Sequence, residues 1–333
     1  MSGLFDTSLT SAPRTSFITA LADRYRRRSE WIARFEHWQR PASVTEEGSL
    51  ETAQKNVLGA LAGATWMGSQ GVMLHQQGSY FNNTNVRTEA DLDLRLVHPS
   101  LKVDYAADVA PSYGAQFYGY GDSSLTYGEL FGNMRAEAVA GLSAAFSKAN
   151  VTVGKKAIRI KGITGSRAEV DVVPTVVFDH ISWTGTTFRR VRGVAILSTE
   201  NQWTMNFPEQ HHANGKAKRE RTRHRFKRMV RIFKRLRADM AGRGITVPNV
   251  PSFLIECLVY CVDDSYFLVE SDDLYDRVRR IARQMHDMVH SPLAATAMLE
   301  INDVKLLFGY HQGWTLADAK GFTSAVVDHL GVD

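Results

Sequence analysis

The stretch that decides the fold is Gln77-Gly78-Ser79-Tyr80, followed after a polar loop by Asp91-Leu92-Asp93. Residues 72–77 read as a strand that runs into the Gly-Ser turn, where glycine lets backbone N–H groups and a hydroxyl approach a phosphate. Residues i and i+2 of a strand point to the same face, so Asp91 and Asp93 project side by side. Paired hard oxygen ligands favour Mg²⁺ bound together with substrate phosphates. The stretch therefore predicts phosphoryl-transfer chemistry.

A third carboxylate strengthens this interpretation. Asp91 and Asp93 alternate with apolar leucines in a strand predicted over Asp91 to Val97 and expected to end at Pro99. Asp171 lies in the apolar run Val170-Asp171-Val172-Val173, where burial without a charged partner would be costly. A metal shared by the three aspartates removes that cost. The alternative is a strand whose second face is solvated.

Composition limits the remaining classes. The chain has 333 residues, of which 44% are hydrophobic and 23% charged, as in ordinary globular proteins. No apolar run approaches the length of a membrane span, and residues 1–14 lack the hydrophobic segment of a signal peptide. We therefore expect a cytoplasmic protein without a membrane partner. Cys257 and Cys261 lie in an apolar helical stretch and are expected to be buried thiols.

The net charge of +5 is unevenly distributed. Twelve lysines and arginines lie between Lys216 and Arg237 against one acid, Glu220. Within this segment Lys227, Arg231 and Lys234 share one helical face, and apolar residues supply another. Such cations can hold nucleotide phosphates across a cleft, or they can form a solvated helix face.

The order of patterns predicts an α+β fold in three parts. Residues 1–70 read as helices that pack on both lobes, residues 71–200 as a catalytic core with a mixed sheet, and residues 201–333 as a helical lobe. One long helix is predicted over Gln210 to Met240. The two lobes should touch, with the active site in the cleft between them.

Three residues near the lobe boundary are candidates for nucleotide contacts. Ser252 follows Pro251 at a predicted helix start, where it can cap the helix and face a phosphate. Phe253 can stack on a base, with core packing as an equal alternative. Asn206 precedes Pro208, and its carboxamide can pair with O4 and N3–H of uracil or cap the following helix.

Several of these segments resemble a known family. Gln77-Gly78-Ser79-Tyr80, Asn83-Thr84-Asn85-Val86-Arg87 and Ala90-Asp91-Leu92-Asp93 resemble the active-site stretch of the bacterial cGAS/DncV-like nucleotidyltransferases, which make cyclic oligonucleotide signals in anti-phage defence. The resemblance continues through Asn206-Phe207-Pro208 and Pro251-Ser252-Phe253 and covers roughly residues 70–265. It is closest to the uridine-using branch called clade E.

The resemblance implies a polymerase-β-like nucleotidyltransferase sheet joined to a helical lobe. It implies that Asp91, Asp93 and Asp171 hold two Mg²⁺ ions, for which Mn²⁺ can substitute. The implied nucleotide contacts are those of Gln77, Gly78, Ser79, Asn206, Lys227, Arg231, Lys234, Ser252 and Phe253. The sequence departs from the family at Lys218-Arg219, where the family has Lys-Asn.

The expected reaction is attack by a ribose hydroxyl of one nucleotide on the α-phosphate of another. Repetition would close a cyclic di- or trinucleotide from NTPs, at least one of them UTP and with ATP or GTP as further candidates, and pyrophosphate would be released. We expect a monomer that needs no nucleic acid and signals to a cyclic-nucleotide-sensing effector. The alternatives are a template-free or tRNA-modifying RNA nucleotidyltransferase and a catalytically inactive nucleotide-binding module. The sequence leaves ring size, linkage and the second base open.

Overall fold

The computed structural model describes residues 26–86, 91–121, 123–163, 167–270, 273–310 and 312–332. Residues 26–38 form the first described helix, α1. The other helices are α2 Val44–Leu61, α3 Thr65–Ser69, α4 Gly78–Phe81, α5 Pro111–Tyr118, α6 Tyr127–Phe146, α7 Pro208–Arg221, α8 Arg225–Gly242, α9 Ser252–Cys261, α10 Ser265–Leu268, α11 Leu274–His290, α12 Pro292–Ala297 and α13 Leu316–Leu330. The strands are β1 Met73–Gln77, β2 Leu92–Tyr105, β3 Val151–Val153, β4 Ile158–Ile160, β5 Val170–Trp183, β6 Phe188–Leu197 and β7 Trp203–Asn206.

One mixed sheet contains all seven of these strands. Strands β2 and β5 pair in parallel at its centre, and β1 lies antiparallel on the outer side of β2. The first part of β5 pairs with β4, which continues to β3, and its second part pairs with β6, which continues to β7. The first part of the long β5 therefore carries Asp171, and its second part leads through β6 to β7, which ends at Asn206.

The predicted end of the second strand at Pro99 is wrong. Strand β2 continues to Tyr105, and its register against β5 shifts between His98 and Leu101. This irregularity contains Pro99 and Ser100, so the proline is not required to donate a ladder hydrogen bond. Residues 101–105 are therefore also strand.

The helix predicted over Gln210 to Met240 is also interrupted. Arg223 and His224 adopt left-handed backbone conformations, with φ of 49° and 64°, and separate α7 from α8. The Thr222 hydroxyl accepts a hydrogen bond from the backbone N–H of Phe226 at 3.1 Å and so satisfies a donor at the start of α8. The change in direction buries α8 in the centre of the helical lobe.

Two hydrophobic cores lie under the cleft. One is built by the sheet with α2 and α6, and includes Leu94, Val172 and Met134. The other is built by the carboxyl-terminal helices and includes Phe233 of α8 and Phe35 of α1. The amino-terminal helices are thus divided, with α1 on the helical lobe and α2 on the sheet.

Within the described ranges, no helix combines the length and apolar character needed to span a lipid bilayer. Cys257 and Cys261 are free thiols, and Cys257 is buried, as predicted, whereas Cys261 is partly exposed.

Candidate active site

The parallel pairing of β2 and β5 brings two predicted carboxylates together. Asp93 and Asp171 are register partners in neighbouring strands, between the pairs Leu92–Val170 and Leu94–Val172. Register partners of parallel strands project on the same face, so their carboxylates share one site. Asp91 lies one residue before β2 and is exposed.

The three aspartates repel one another in the absence of a cation. Burial, Asp171 and Asp91, in this order, raise the pKa of Asp93 to about 6, and only Lys234 acts in the opposite direction. A carboxyl pKa raised by neighbouring carboxylates marks a place where a bound cation would be strongly favourable.

Arg159 neutralises part of this charge. It lies opposite Asp171 in β4, and its Nε and Nη2 donate to the two Asp171 oxygens at 3.0 and 3.2 Å. Among the described residues, no three acidic, imidazole or thiol side chains converge closely enough to hold a metal ion. The donor set nevertheless fits a hard divalent cation, because it is all oxygen and its charges repel. A cation would compete with Arg159 for Asp171.

The Gly-Ser turn lies against these carboxylates. Gly78 has φ of +74°, and a Cβ at this position would lie 1.9 Å from Oδ2 of Asp93. No other residue therefore fits here with the carboxylate in place. Ser79 follows in α4, and its carbonyl accepts the Thr84 N–H at 2.9 Å, which holds the turn against the 82–85 loop.

A cleft of about 760 Å³ lies between the sheet edge and the helical lobe. Nine of the twelve predicted site residues line it, and these are Gln77, Gly78, Ser79, Asp91, Asp93, Asn206, Lys234, Ser252 and Phe253. Asp171 adjoins it through Asp93. Lys227 and Arg231 are not among its described lining residues.

Asn206 is a cleft residue and not a helix cap. It ends β7 and lines the cleft, whereas the residue at the cap of α7 is Phe207, with no side-chain capping bond. The Asn206 carboxamide makes no hydrogen bond to the described residues. The helix-capping alternative for Asn206 is therefore wrong.

The helical-lobe wall includes a segment that sequence reasoning missed. Trp314 packs against Phe253 with ring centroids 5.9 Å apart, and both line the cleft. Glu300 accepts from Gln312 at 2.6 Å and pairs with Lys305 at 3.3 Å. A single tryptophan and scattered polar residues between helices carry no periodic signal, so only the folded chain brings them here.

Lys234 is almost fully buried, at 1% exposure, beside the equally buried Glu256. Its Nζ donates to the Thr84 carbonyl at 3.0 Å and pairs with Glu256 at 3.3 Å. Glu256 also accepts from the Thr84 hydroxyl at 2.9 Å and contacts His211 Nε2 at 3.0 Å. Burial alone would raise the pKa of Glu256, but Lys234 and His211 outweigh it and lower it to about 2. In the sequence this group is indicated only by Glu256, an acidic residue inside the otherwise apolar run of α9.

The other predicted phosphate ligands have structural contacts. Arg231 donates to the carbonyls of Gln39 and Asn83 at 2.8 and 2.7 Å. Ser252 lies in the first turn of α9, where Pro251 holds the cap position without a capping bond, and its hydroxyl accepts from Arg237 at 3.1 Å. The predicted capping role of Ser252 is therefore wrong, while its position in the cleft is as expected.

Comparison with known proteins agrees with this geometry. The cGAS/DncV-like nucleotidyltransferase C-terminal helical domain family matches residues 213–331. The cyclic dipyrimidine nucleotide synthase CdnE of Legionella pneumophila is 30% identical over 295 residues, which cover 88% of this chain and 95% of that protein. The chain is a cGAS/DncV-like nucleotidyltransferase. The family predicted from the active-site motifs is thereby confirmed.

Two further comparisons concern the fold and the product. The cyclic dipurine nucleotide synthase of Elizabethkingia meningoseptica is 31% identical over 304 residues, covering 89% of this nucleotidyltransferase and 96% of that protein. The structure of Elizabethkingia meningoseptica CdnE cyclic dinucleotide synthase with GTP and Apcpp has a TM-score of 0.70 at 28% identity, covering 90% and 98% of the two chains. The predicted polymerase-β-like fold is confirmed. A dipyrimidine and a dipurine synthase are thus about equally similar to this chain.

Proposed function

We propose that this nucleotidyltransferase joins NTPs, at least one of them UTP, into a cyclic di- or trinucleotide signal for anti-phage defence. The observation that carries the proposal is the β2–β5 register, which sets Asp93 beside Asp171 directly against the Gly78-Ser79 turn. This arrangement offers carboxylates for cations and a phosphate-binding turn on one cleft wall, with a lysine on the other.

Asp91, Asp93 and Asp171 would hold two Mg²⁺ or Mn²⁺ ions. When bound, such ions activate the attacking hydroxyl and stabilise the departing pyrophosphate. In the reaction a ribose oxygen forms a bond to the α-phosphorus, the bond to the pyrophosphate oxygen breaks, and the hydroxyl proton passes to solvent.

The residues of the chain supply binding and orientation. Backbone N–H groups at Gly78 and Ser79 and the Ser79 hydroxyl would bind the donor phosphates. Lys234 would offset the triphosphate charge from the opposite wall, and Ser252 lies within the same cleft. Phe253 and Trp314 provide aromatic surface on which a base can stack.

Asn206 would select uracil. Its carboxamide can donate to O4 and accept from N3–H, and it has no competing structural contact among the described residues. Relatives that make dipyrimidine and dipurine products are about equally similar to this chain, so base choice depends on individual cleft residues.

Incubation with labelled NTPs, phosphatase treatment and mass spectrometry test the proposal. A cyclic product has no terminal phosphate and survives phosphatase, whereas a linear product of an RNA nucleotidyltransferase loses its end label. The RNA alternative is less favoured, because Lys227 and Arg231 of the basic segment are buried and do not line the cleft. No product with any NTP mixture would support the inactive module. Monomeric state and the downstream effector stay predictions.

A further inference from the structure

A second cavity, of about 300 Å³, lies between α8 and the connection that follows α1. We call it the arginine cavity, and its lining residues are Glu36, Gln39, Arg40, Pro41, Arg228 and Arg231. None of them lines the cleft described above. The arginine cavity is therefore a separate feature of the helical lobe.

Its lining carries three arginines and one carboxylate, that of Glu36, so positive charge is in excess. Over the described ranges, no carboxylate lies within ion-pair distance of Arg40, Arg228 or Arg231. Arg231 is only 5% exposed, and its Nε and Nη1 donate to backbone carbonyls. Burial and then the neighbouring arginines 228, 235 and 219 lower the pKa of Arg231 to about 10.

In another cavity of the helical lobe, which we call the paired cavity, the cations are paired with a carboxylate. It has a volume of about 510 Å³ and also contains two cations, Lys218 and Arg221. Both of these pair with Asp264 at 2.6 Å. Burying a cation is costly unless an anion or strong acceptor accompanies it. In the paired cavity a carboxylate pairs with both cations, whereas the arginine cavity has no such ion pair among the described residues and offers its buried Arg231 only backbone carbonyls.

We propose that the arginine cavity binds a small phosphate-type oxyanion, such as a free phosphate or diphosphate group. Guanidinium groups bind such oxyanions through two parallel N–H···O bonds, and Arg40 and Arg228 are exposed enough to close over one. A volume of about 300 Å³ suits a small anion rather than a nucleic-acid helix. The anion would offset the excess of positive charge that Glu36 leaves in the lining.

The occupied cavity would brace the active-site loop. Arg231 donates to the carbonyl of Asn83 at 2.7 Å, and the next residue, Thr84, contacts Lys234 and Glu256 in the cleft. An anion that fixes the Arg231 guanidinium therefore also fixes the loop that follows the Gly78-Ser79 turn.

Calorimetric titration with inorganic pyrophosphate in EDTA tests the site without metal-dependent binding in the cleft. We expect one pyrophosphate per chain, and about tenfold weaker binding in Arg228→Gln and in Arg40→Gln, since each removes a charge-assisted contact. Arg189→Gln removes an exposed arginine of β6 and should bind as the wild type does. Ser79→Ala alters the cleft and should also bind normally.

Two outcomes overturn the site. One is equal binding by wild type, Arg228→Gln and Arg40→Gln, and the other is loss of binding in Ser79→Ala, which would place pyrophosphate in the cleft. An oligonucleotide without terminal phosphates that binds more tightly than pyrophosphate, and whose binding depends on Arg228, would show that the ligand is a nucleic acid and so reject the proposal.

Hydrogen exchange at residues 82–85 should slow with pyrophosphate, and unchanged exchange contradicts the bracing. Because no nucleotide turnover is measured, this test and that of the proposed function fail independently.

Discussion

The two walls of the cleft handle their charges in opposite ways. On the sheet, Asp91, Asp93 and Asp171 repel one another, and the pKa of Asp93 rises to about 6. On the helical lobe, Lys234 and Glu256 are both buried but satisfy each other, and the pKa of Glu256 falls to about 2. On the sheet wall the carboxylates repel one another, although Asp171 is paired with Arg159, whereas Lys234 and Glu256 on the helical wall pair with each other.

This difference indicates that charged side chains in the two walls have two separate roles, catalysis on the sheet and stability of the fold on the helical lobe. Removal of a carboxylate from the sheet wall should relieve repulsion and abolish chemistry. Removal of one from the helical wall should leave a cation buried without its partner and destabilise the fold. The same type of substitution is thus expected to have opposite effects on stability, depending on the wall.

Asp93→Asn should have the largest effect, a loss of about a thousandfold in pyrophosphate release, because it removes a charge that the cations require. Mg²⁺ should also raise the melting temperature of the wild type but not of this variant. The control is Asp104→Asn, at the far, exposed end of β2. Turnover above about a tenth of the wild-type value in Asp93→Asn would reject the metal assignment.

Glu256→Gln should lower the free energy of unfolding by about 3 kcal/mol, because Lys234 is then buried without an opposite charge. Denaturant unfolding of wild type and variant measures this difference. Glu220→Gln is a matched control, since Glu220 is exposed and pairs only with Arg219 in the described contacts. An unchanged midpoint in Glu256→Gln would show that the pair contributes no stability.

The two walls should also differ in pH dependence without divalent ions. The folded-state pKa of Asp93 lies above its ordinary value of 3.8, so its charge costs stability as pH rises to about 6, by about 3 kcal/mol in full. The folded-state pKa of Glu256 lies below 4.5, so its contribution is lost as pH falls toward about 2. Thermal unfolding from pH 3 to 8 should show that Asp93→Asn gains stability over wild type only at the higher pH values. A gain that is constant with pH would contradict the repulsion.

Asn206→Ser should have the smallest effect, a shift of about tenfold in UTP relative to purine incorporation, the value of one bidentate base contact. Stability should not change, because the Asn206 carboxamide makes no hydrogen bond to the described residues. Competition between UTP and ATP or GTP, read by mass spectrometry, measures the ratio. The same ratio in both proteins would exclude base reading by Asn206.

Much of the site was predictable because its signals are local. The glycine at the turn, the i, i+2 aspartates and the acid in a valine run are short patterns whose chemistry depends on few neighbours. Family membership and the polymerase-β-like fold followed from the same motifs and are confirmed. The metal, nucleotide and domain assignments stay predictions that these motifs support.

Other features depended on contacts between distant parts of the chain. Sequence placed Lys227, Arg231 and Lys234 on one helical face, but only the left-handed residues 223 and 224 and the packing of α8 decided that they are buried. Likewise, only the fold joined Lys234 to Glu256 and brought Trp314 to Phe253. The sequence by itself determined which chemical groups are available and which strand face carries the aspartates. Tertiary structure decided which charges are paired and which face the cleft, because pairing and desolvation depend on distances that periodicity does not encode.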